Sequence, residues 1–372
     1  MSSRRAQALR FAAVTAFAAS ALTAIGAAAA PERSSLADYR PRQHVTGMLR
    51  STGNNHMAAL MRAWEAGFKK YQPGVLFADT LKGSASGMYG LEMRTADLAA
   101  MGRAINPFER YGTYERSWVY PVEIEVATGG ARRAGDSPAY AIFVNERNPL
   151  AKLSIKQLDG IFGARRGGGW QALSWVESAA RPASDDLRTW GGLGVRGALA
   201  GRRIHVYGPP ILGAGVVTFF QSRVLQGGAM WNEDLREYPD PAKMIGDLSR
   251  DPDGIAYAPL AYGTPGVKAV AVAASPGGPF VALTEKSVAD RSYPLARPVY
   301  LDYTIDNEHS EIANPRVDPK VKEFLRYVLS KQGQAAVARS GAYLPLPPAV
   351  VRAQLQKLDS QATPPEKALL GD

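Results

Sequence analysis

AYAIFVNERNPLAKLSIKQLDGIFG, from Ala139 to Gly163, decides the fold. Its first six residues are an unbroken apolar run of strand length, the pattern of a strand covered on both faces in a parallel sheet. NERNP breaks the run: Asn145 and Asn148 suit a turn, and Pro149 has no N–H for a ladder. A helix start follows with two signals. Ser154 and Gln157 stand at capping-box spacing, and Leu153 and Leu158 can close a hydrophobic staple. A buried strand feeding a capped helix predicts an α/β fold.

Upstream, Val45 to Leu49 reads as a first strand and Arg50 to Asn54 as the turn into a helix. There Met57, Leu60, Met61, Trp64 and Phe68 fall on one face. Val75 to Leu81 is a second strand, Gly83 to Gly87 a second turn opening a short helix, and Asp97 to Met101 a third strand. The order is βαβαβ. Tyr120 to Thr128 is a strand whose Glu123 and Glu125 read as solvated. Downstream, Gly163 to Gly201 is rich in Gly and Trp with weak periodicity, a loop-rich segment. Arg203 to Tyr207 is a strand that enters GPPILGAG and a helix, a third strand–glycine turn–helix junction. Asp240-Pro241 and Asp318-Pro319 each pair a cap with proline at the first helical position.

The N-terminus is a leader rather than structure. Arg4, Arg5 and Arg10 precede an apolar run from Phe11 to Ile25, then Gly26 and four alanines. Residues 1–29 are expected to be a cleaved signal peptide, since a cut after Ala30 would leave Pro31 beside the scissile bond. The run falls short of the roughly 20 residues a membrane span needs. Sec and twin-arginine export both fit the basic n-region. The chain has no cysteine, which removes disulfides, thiol catalysis, cysteine zinc sites and lipid attachment at a leader cysteine. The expectation is a free, exported, periplasmic protein.

About 340 mature residues suit two domains, each able to bury a core. The formal charge is +10, which favours anionic partners. Export and the lack of a basic stripe interleaved with aromatics argue against nucleic acid.

Helix starts carry unpaired N–H groups and partial positive charge, so they can hold anions. Ligands in open α/β sheets bind beyond the carboxyl ends of strands, where the three junctions are expected. The candidate ligand-binding residues are Ser51, Thr52, Ser84, Ala85, Ser86, Asp97, Gly213, Ala214 and Gly215. Hydroxyls add donors, glycines allow close backbone approach, and Asp97 can accept from a protonated oxyanion. The competing reading of the hydroxyls is ordinary helix capping. Arg50 and Arg103 are candidates for extra charge. Enzyme motifs are poor: Gly192 to Gly197 matches G-x-G-x-x-G with no strand before it, and GSASG has Ala85 where a nucleophile serine would stand. The four histidines show no ligand spacing, and DPDG at Asp251 to Gly254 lacks the rest of a calcium loop. No catalytic residue, metal or cofactor is expected.

Over roughly Val45 to Pro345 the chain resembles the phosphate-binding proteins of ABC transporters, in the periplasmic type II binding-protein superfamily. The likeness is carried by AIFVNERNPLAKLSIKQLDGIFG, the order GSASG then DLAAMGR, GIAYAPLAYG, and YPLARPVYLDY before KEFLRYVLSKQGQAAVARSGAYLPL. It implies two open sheets flanked by helices and joined by crossing strands, with AYAIFV in the crossing region. Domain I is then 45–130 plus 268–350, and domain II 139–265. It also implies inorganic phosphate or a similar oxyanion in a hinged cleft, an ABC permease in the inner membrane as partner, and a monomer. The chain departs at the second-domain turn: Pro209 falls about where the family has an arginine, and Ala214-Gly215-Val216 where it has Ser-Gly-Thr. Gly102 likewise stands where a serine is usual. The leading expectation is a periplasmic solute-binding protein without catalysis. The alternative is a sensory or interaction protein whose phosphate pocket is altered or lost.

Overall fold

The computed structural model describes residues 36–117, 120–132, 136–171, 173–211, 215–225, 230–305 and 317–360. The leader, Gly213 and Ala214 lie outside these residues. The described residues all fall within one compact unit. Among the described residues no helix is long and apolar enough to cross a membrane.

The chain opens with β1 (Gly47–Gly53), α1 (Ala58–Phe68), β2 (Val75–Leu81), α2 (Ser84–Glu92) and β3 (Leu98–Met101), the predicted βαβαβ. β1 lies parallel to both β2 and β3. α3 (Pro107–Ser117) and β4 (Val122–Gly129) follow, and the chain then crosses to a second sheet. There it forms β5 (Tyr140–Asn145), β6 (Lys152–Ser154), α4 (Ile155–Phe162) and a small hairpin, β7 (Gly169–Gln171) with β8 (Ser174–Val176). β9 (His205–Gly208), α5 (Gly215–Val224), β10 (Arg236–Glu237), α6 (Pro241–Leu248), β11 (Gly254–Pro259), β12 (Val267–Ala273) and α7 (Glu285–Ala289) complete that lobe. A second crossing returns to the first sheet as β13 (Pro298–Tyr303), followed by α8 (Pro319–Val328), α9 (Lys331–Ser340), β14 (Tyr343–Leu344) and α10 (Pro348–Ser360).

Sheet one runs β14-β4-β13-β3-β1-β2 and sheet two β10-β9-β11-β5-β12-β6. This is the expected architecture of two open sheets flanked by helices and joined by crossing segments. Each sheet has its own core. Leu49, Trp64, Phe68, Ile124, Leu301 and Phe324 belong to one; Ile142, Leu158, Phe162, Trp190, Phe220 and Ile255 belong to the other. The AYAIFV run explains itself: β5 sits between β11 and β12, and every residue in it is buried. The helix after it carries the anticipated capping box, with Ser154 Oγ accepting from Gln157 N–H at 3.2 Å and Gln157 Oε1 accepting from Ser154 N–H at 2.9 Å. Asp240 and Asp318 cap α6 and α8 in the same local way.

Three expectations need correction. β12 pairs with β5 and β6, so the chain stays in the second lobe well past residue 268 and rejoins the first sheet at Pro298. β1 continues through Gly53 because all seven of its residues pair with β2; Ser51 and Thr52 are therefore strand residues, not turn residues. Glu123 and Glu125 are not on a wet face. α10 covers it, Glu125 is 8% exposed and pairs with Arg291, and Glu123 Oε2 accepts from Ile105 N–H at 2.7 Å.

Candidate functional site

The strand ends meet at a cleft of about 680 Å³ between the lobes. From the first lobe it takes Asn54 to His56 after β1, Lys82 to Ala85 after β2, and Ser137 and Pro138 from the first crossing. Pro209 and Pro210 after β9, Gly215 and Val217 of α5, and the end of β11 form the facing side. These are carboxyl ends of parallel strands, where backbone N–H groups of the next helices point outward.

At its base lies Arg297, the last residue before β13 and only 3% exposed. Its Nε donates to the Gly102 carbonyl at 2.7 Å and its Nη1 to the Tyr140 hydroxyl at 3.0 Å. Both partners are neutral, and no carboxylate lines the cleft among the described residues. A buried cation costs several kcal/mol unless a counter-charge is at hand, so an anion in the cleft supplies what the protein lacks. Burial raises the Tyr140 phenol, and the Arg297 charge only partly offsets this, so the hydroxyl keeps its proton.

Two helix starts converge beside the guanidinium. Ser84 is the first residue of α2 and Gly215 the first of α5, on opposite lobes. A Cβ added to Gly215 would stand 3.0 Å from Ser84 Oγ and 3.4 Å from Arg297 Nη2. Ser84 Oγ accepts from Gly102 N–H at 3.0 Å, which leaves its own hydrogen free to donate. Gly102 is a packing necessity here: a Cβ would come 2.4 Å from Asn54 Nδ2 and 3.0 Å from Arg297 Nη2. Asn54 first, and then the arginine, occupy the space that a serine at 102 would need. Asn54 is buried too, donating to Ser137 Oγ at 2.9 Å and capping the next turn through His56 N–H at 3.1 Å.

Of the nine candidates, Ser84, Ala85 and Gly215 line the cleft. Gly213 and Ala214 lie outside the described residues. Ser51 is buried within β1 with its hydroxyl unpartnered among the described residues, and Thr52 Oγ1 donates to the Gly87 carbonyl at 3.3 Å. Ser86 turns back to the Gly83 carbonyl at 2.8 Å. Asp97 precedes β3, at the end of the strand away from the cleft. It accepts from Arg50 Nη2 at 2.7 Å, Nε at 3.2 Å and N–H at 2.8 Å. Burial pushes the Asp97 carboxyl up, but the Arg50 hydrogen bonds and charge outweigh it and hold it below its usual range. Arg50 is thus engaged away from the cleft. Arg103 is buried against Glu109 and donates Nε to Thr218 Oγ1 at 2.9 Å, a bond from the first lobe to α5 of the second.

Arg297 is the buried cleft cation that sequence reasoning missed. Its only local signal was a cation between a turn and a strand in YPLARPVYLDY. Elsewhere, His205, Asp251 and Asp253 place ligand-type atoms within 4.8 Å of one another, at the ends of β9 and β11 away from the cleft. Asp251 already accepts from the Tyr207 hydroxyl at 2.6 Å, and Asp253 pairs with Arg202. The cluster is closed on itself.

Two lobes, two crossings and a cationic cleft between them define a hinged solute-binding protein. The chain belongs to the PBP superfamily, whose domain matches residues 27–332, and within it to the family of the phosphate-binding protein PstS. It is 31% identical over 351 residues to PstS of Pseudomonas aeruginosa, spanning 94% of this chain and 97% of that one. Solved structures share the fold at lower identity. An ABC-type phosphate transport receptor from Vibrio cholerae has a TM-score of 0.53 at 18% identity, covering 80% of this chain and 99% of its own. PstS from Borrelia burgdorferi has 0.53 at 15%, covering 81% and 99%.

Proposed function

We propose that this chain is the periplasmic solute-binding component of an ABC importer and captures phosphate or a related oxyanion between its lobes without transforming it. The observation that carries the reading is Arg297, a buried guanidinium in the cleft with a carbonyl and a phenol for partners. Around it we assign Ser84 Oγ, the N–H groups at the start of α2 near Ala85, and the start of α5 at Gly215 as donors to the anion. Asn54 and Tyr140 position the arginine's surroundings. Ser51, Thr52, Ser86 and Asp97 are left out because they sit in the sheet or face other partners. The family's printed names, binding protein and transport receptor, support capture and delivery to a membrane permease. A cleaved leader and a monomeric state complete the proposal.

Calorimetry on the mature chain with phosphate, arsenate, sulfate and molybdate tests it. Saturable heat together with a raised melting temperature is the expected outcome. A flat titration across all four anions would instead support an interaction role without a ligand.

A further inference from the structure

We propose that the anion taken by this cleft carries an organic substituent: a phosphate monoester or phosphonate whose substituent is neutral and partly apolar. This rests on the anion-binding reading above and adds to it the class of ligand. The first ground is size. A tetrahedral oxyanion has five heavy atoms and displaces roughly two or three waters of about 30 Å³ each. The cleft holds about 680 Å³, within the range of roughly 300–1,000 Å³ typical of sites for larger organic ligands.

That volume is not the result of lobes standing apart. Arg103 Nε reaches Thr218 Oγ1 across them at 2.9 Å, and the ring of Phe108 on α3 packs edge-on against Trp170 of the second-lobe hairpin at 5.6 Å between centroids. A Cβ at Gly215 would stand only 3.0 Å from Ser84 Oγ, so the two helix starts leave no room for a further side chain between them. The space remains with the lobes touching.

The second ground is how the wall is divided. The first lobe contributes polar groups, among them Asn55, His56, Lys82 and Ser84. The second lobe contributes Tyr238, Pro239, Met244, Tyr257, Pro259 and Tyr262, a surface that suits carbon rather than phosphate oxygen. Tyr257 is 1% exposed, stacked on Phe220 at 3.8 Å, and its hydroxyl has no partner among the described residues. A buried phenol hydroxyl without a partner is a donor awaiting an acceptor. An ester oxygen or a substituent hydroxyl meets that need. No carboxylate lines the cleft among the described residues; Glu237, whose charge acts on Tyr257, is solvent-exposed and accepts from Ile211 N–H at 3.2 Å, so an ammonium-bearing substituent finds only a screened counter-charge and a neutral substituent is favoured.

The test is competitive calorimetry on the mature chain with inorganic phosphate, glycerol 3-phosphate, phenylphosphonate and 2-aminoethylphosphonate. Glycerol 3-phosphate or phenylphosphonate is expected to bind at least tenfold more tightly than inorganic phosphate, with 2-aminoethylphosphonate weaker than both. Tyr257→Phe, which keeps the ring stack, is expected to narrow the ratio of glycerol 3-phosphate to inorganic phosphate. Inorganic phosphate binding as tightly as either neutral derivative overturns the substituent while leaving anion capture intact. Heat from none of the four anions overturns both readings together.

Discussion

The Arg297 guanidinium donates to the Tyr140 hydroxyl at 3.0 Å, so the residue that ends the second crossing holds the residue that begins β5 after the first. The two crossings are also tied through their backbones. Gly129 N–H donates to the Arg297 carbonyl at 2.9 Å, Tyr140 N–H to the Leu295 carbonyl at 3.3 Å, and the Tyr293 hydroxyl to the Tyr140 carbonyl at 2.7 Å. The cation proposed to meet the ligand is thus built into the hinge. An anion drawn to it acts on the segments about which the lobes would turn.

Replacing that cation removes the counter-charge. Charge-assisted hydrogen bonds are worth about 1.5–3 kcal/mol each. Arg297→Met is expected to weaken anion binding by at least about 100-fold, while Arg297→Lys, which keeps charge without the fork, falls between. Calorimetry reads the affinity, and near-ultraviolet circular dichroism shows whether the fold is kept. Unchanged affinity in a folded Arg297→Met protein would remove Arg297 from the site.

Gly102→Ser restores the residue usual in the resembling family and should fail here. The added Cβ meets Asn54 Nδ2 at 2.4 Å, and overpacking of this sort costs about 1–3 kcal/mol. Thermal unfolding is expected to show a lower midpoint, and titration a weaker anion complex, because Asn54 and Arg297 must both shift. A serine accepted without loss of stability would mean the pocket is looser than the packing indicates.

Asp97→Ala separates this cleft from the family expectation. With Asp97 turned to Arg50, the substitution should leave anion affinity within about twofold and cost about 1 kcal/mol of stability, the scale of a partly exposed ion pair. Because the folded carboxyl titrates below its usual value, its contribution is present above the unfolded pKa and is lost as pH falls through the folded one. The stability gap between variant and parent therefore closes in acid. A large loss of affinity would return Asp97 to the ligand.

Asp302 behaves in the opposite sense. It is fully buried in β13 with neither carboxylate oxygen partnered among the described residues; burial first and Glu123 second push its carboxyl well above the usual value. The protonated form is favoured in the fold. Stability is therefore complete below the unfolded pKa and declines as pH rises toward the folded one. Asp302→Asn is expected to raise the melting temperature at pH 8 and to change it little at pH 4. A variant destabilised equally at both pH values would show that the carboxylate has a partner in solution.

Local chemistry was legible from the chain. The alternation of strands and helices, the caps at Ser154, Asp240 and Asp318, the buried run at β5 and the apolar face of α1 all depend on neighbours within a few residues. The strand limits of β1 did not, since its last four residues are held by pairing with β2 some 28 positions away in register, Arg50↔Ala78 to Gly53↔Leu81. That shift alone moved Ser51 and Thr52 from a helix start into a sheet. The loop-rich segment from Gly163 to Gly201 holds, among the described residues, the small hairpin and short 3₁₀ turns.

By itself the sequence determined two α/β lobes, because hydrophobic period and capping act over one or two turns of chain. Only the tertiary structure decided which polar groups face the cleft. Ser84, Gly215 and Arg297 lie far apart along the chain and meet because two sheets set their strand ends opposite each other and the returning crossing delivers a guanidinium between them. Nothing in the spacing of those residues encodes that meeting; it follows from the order in which strands pair.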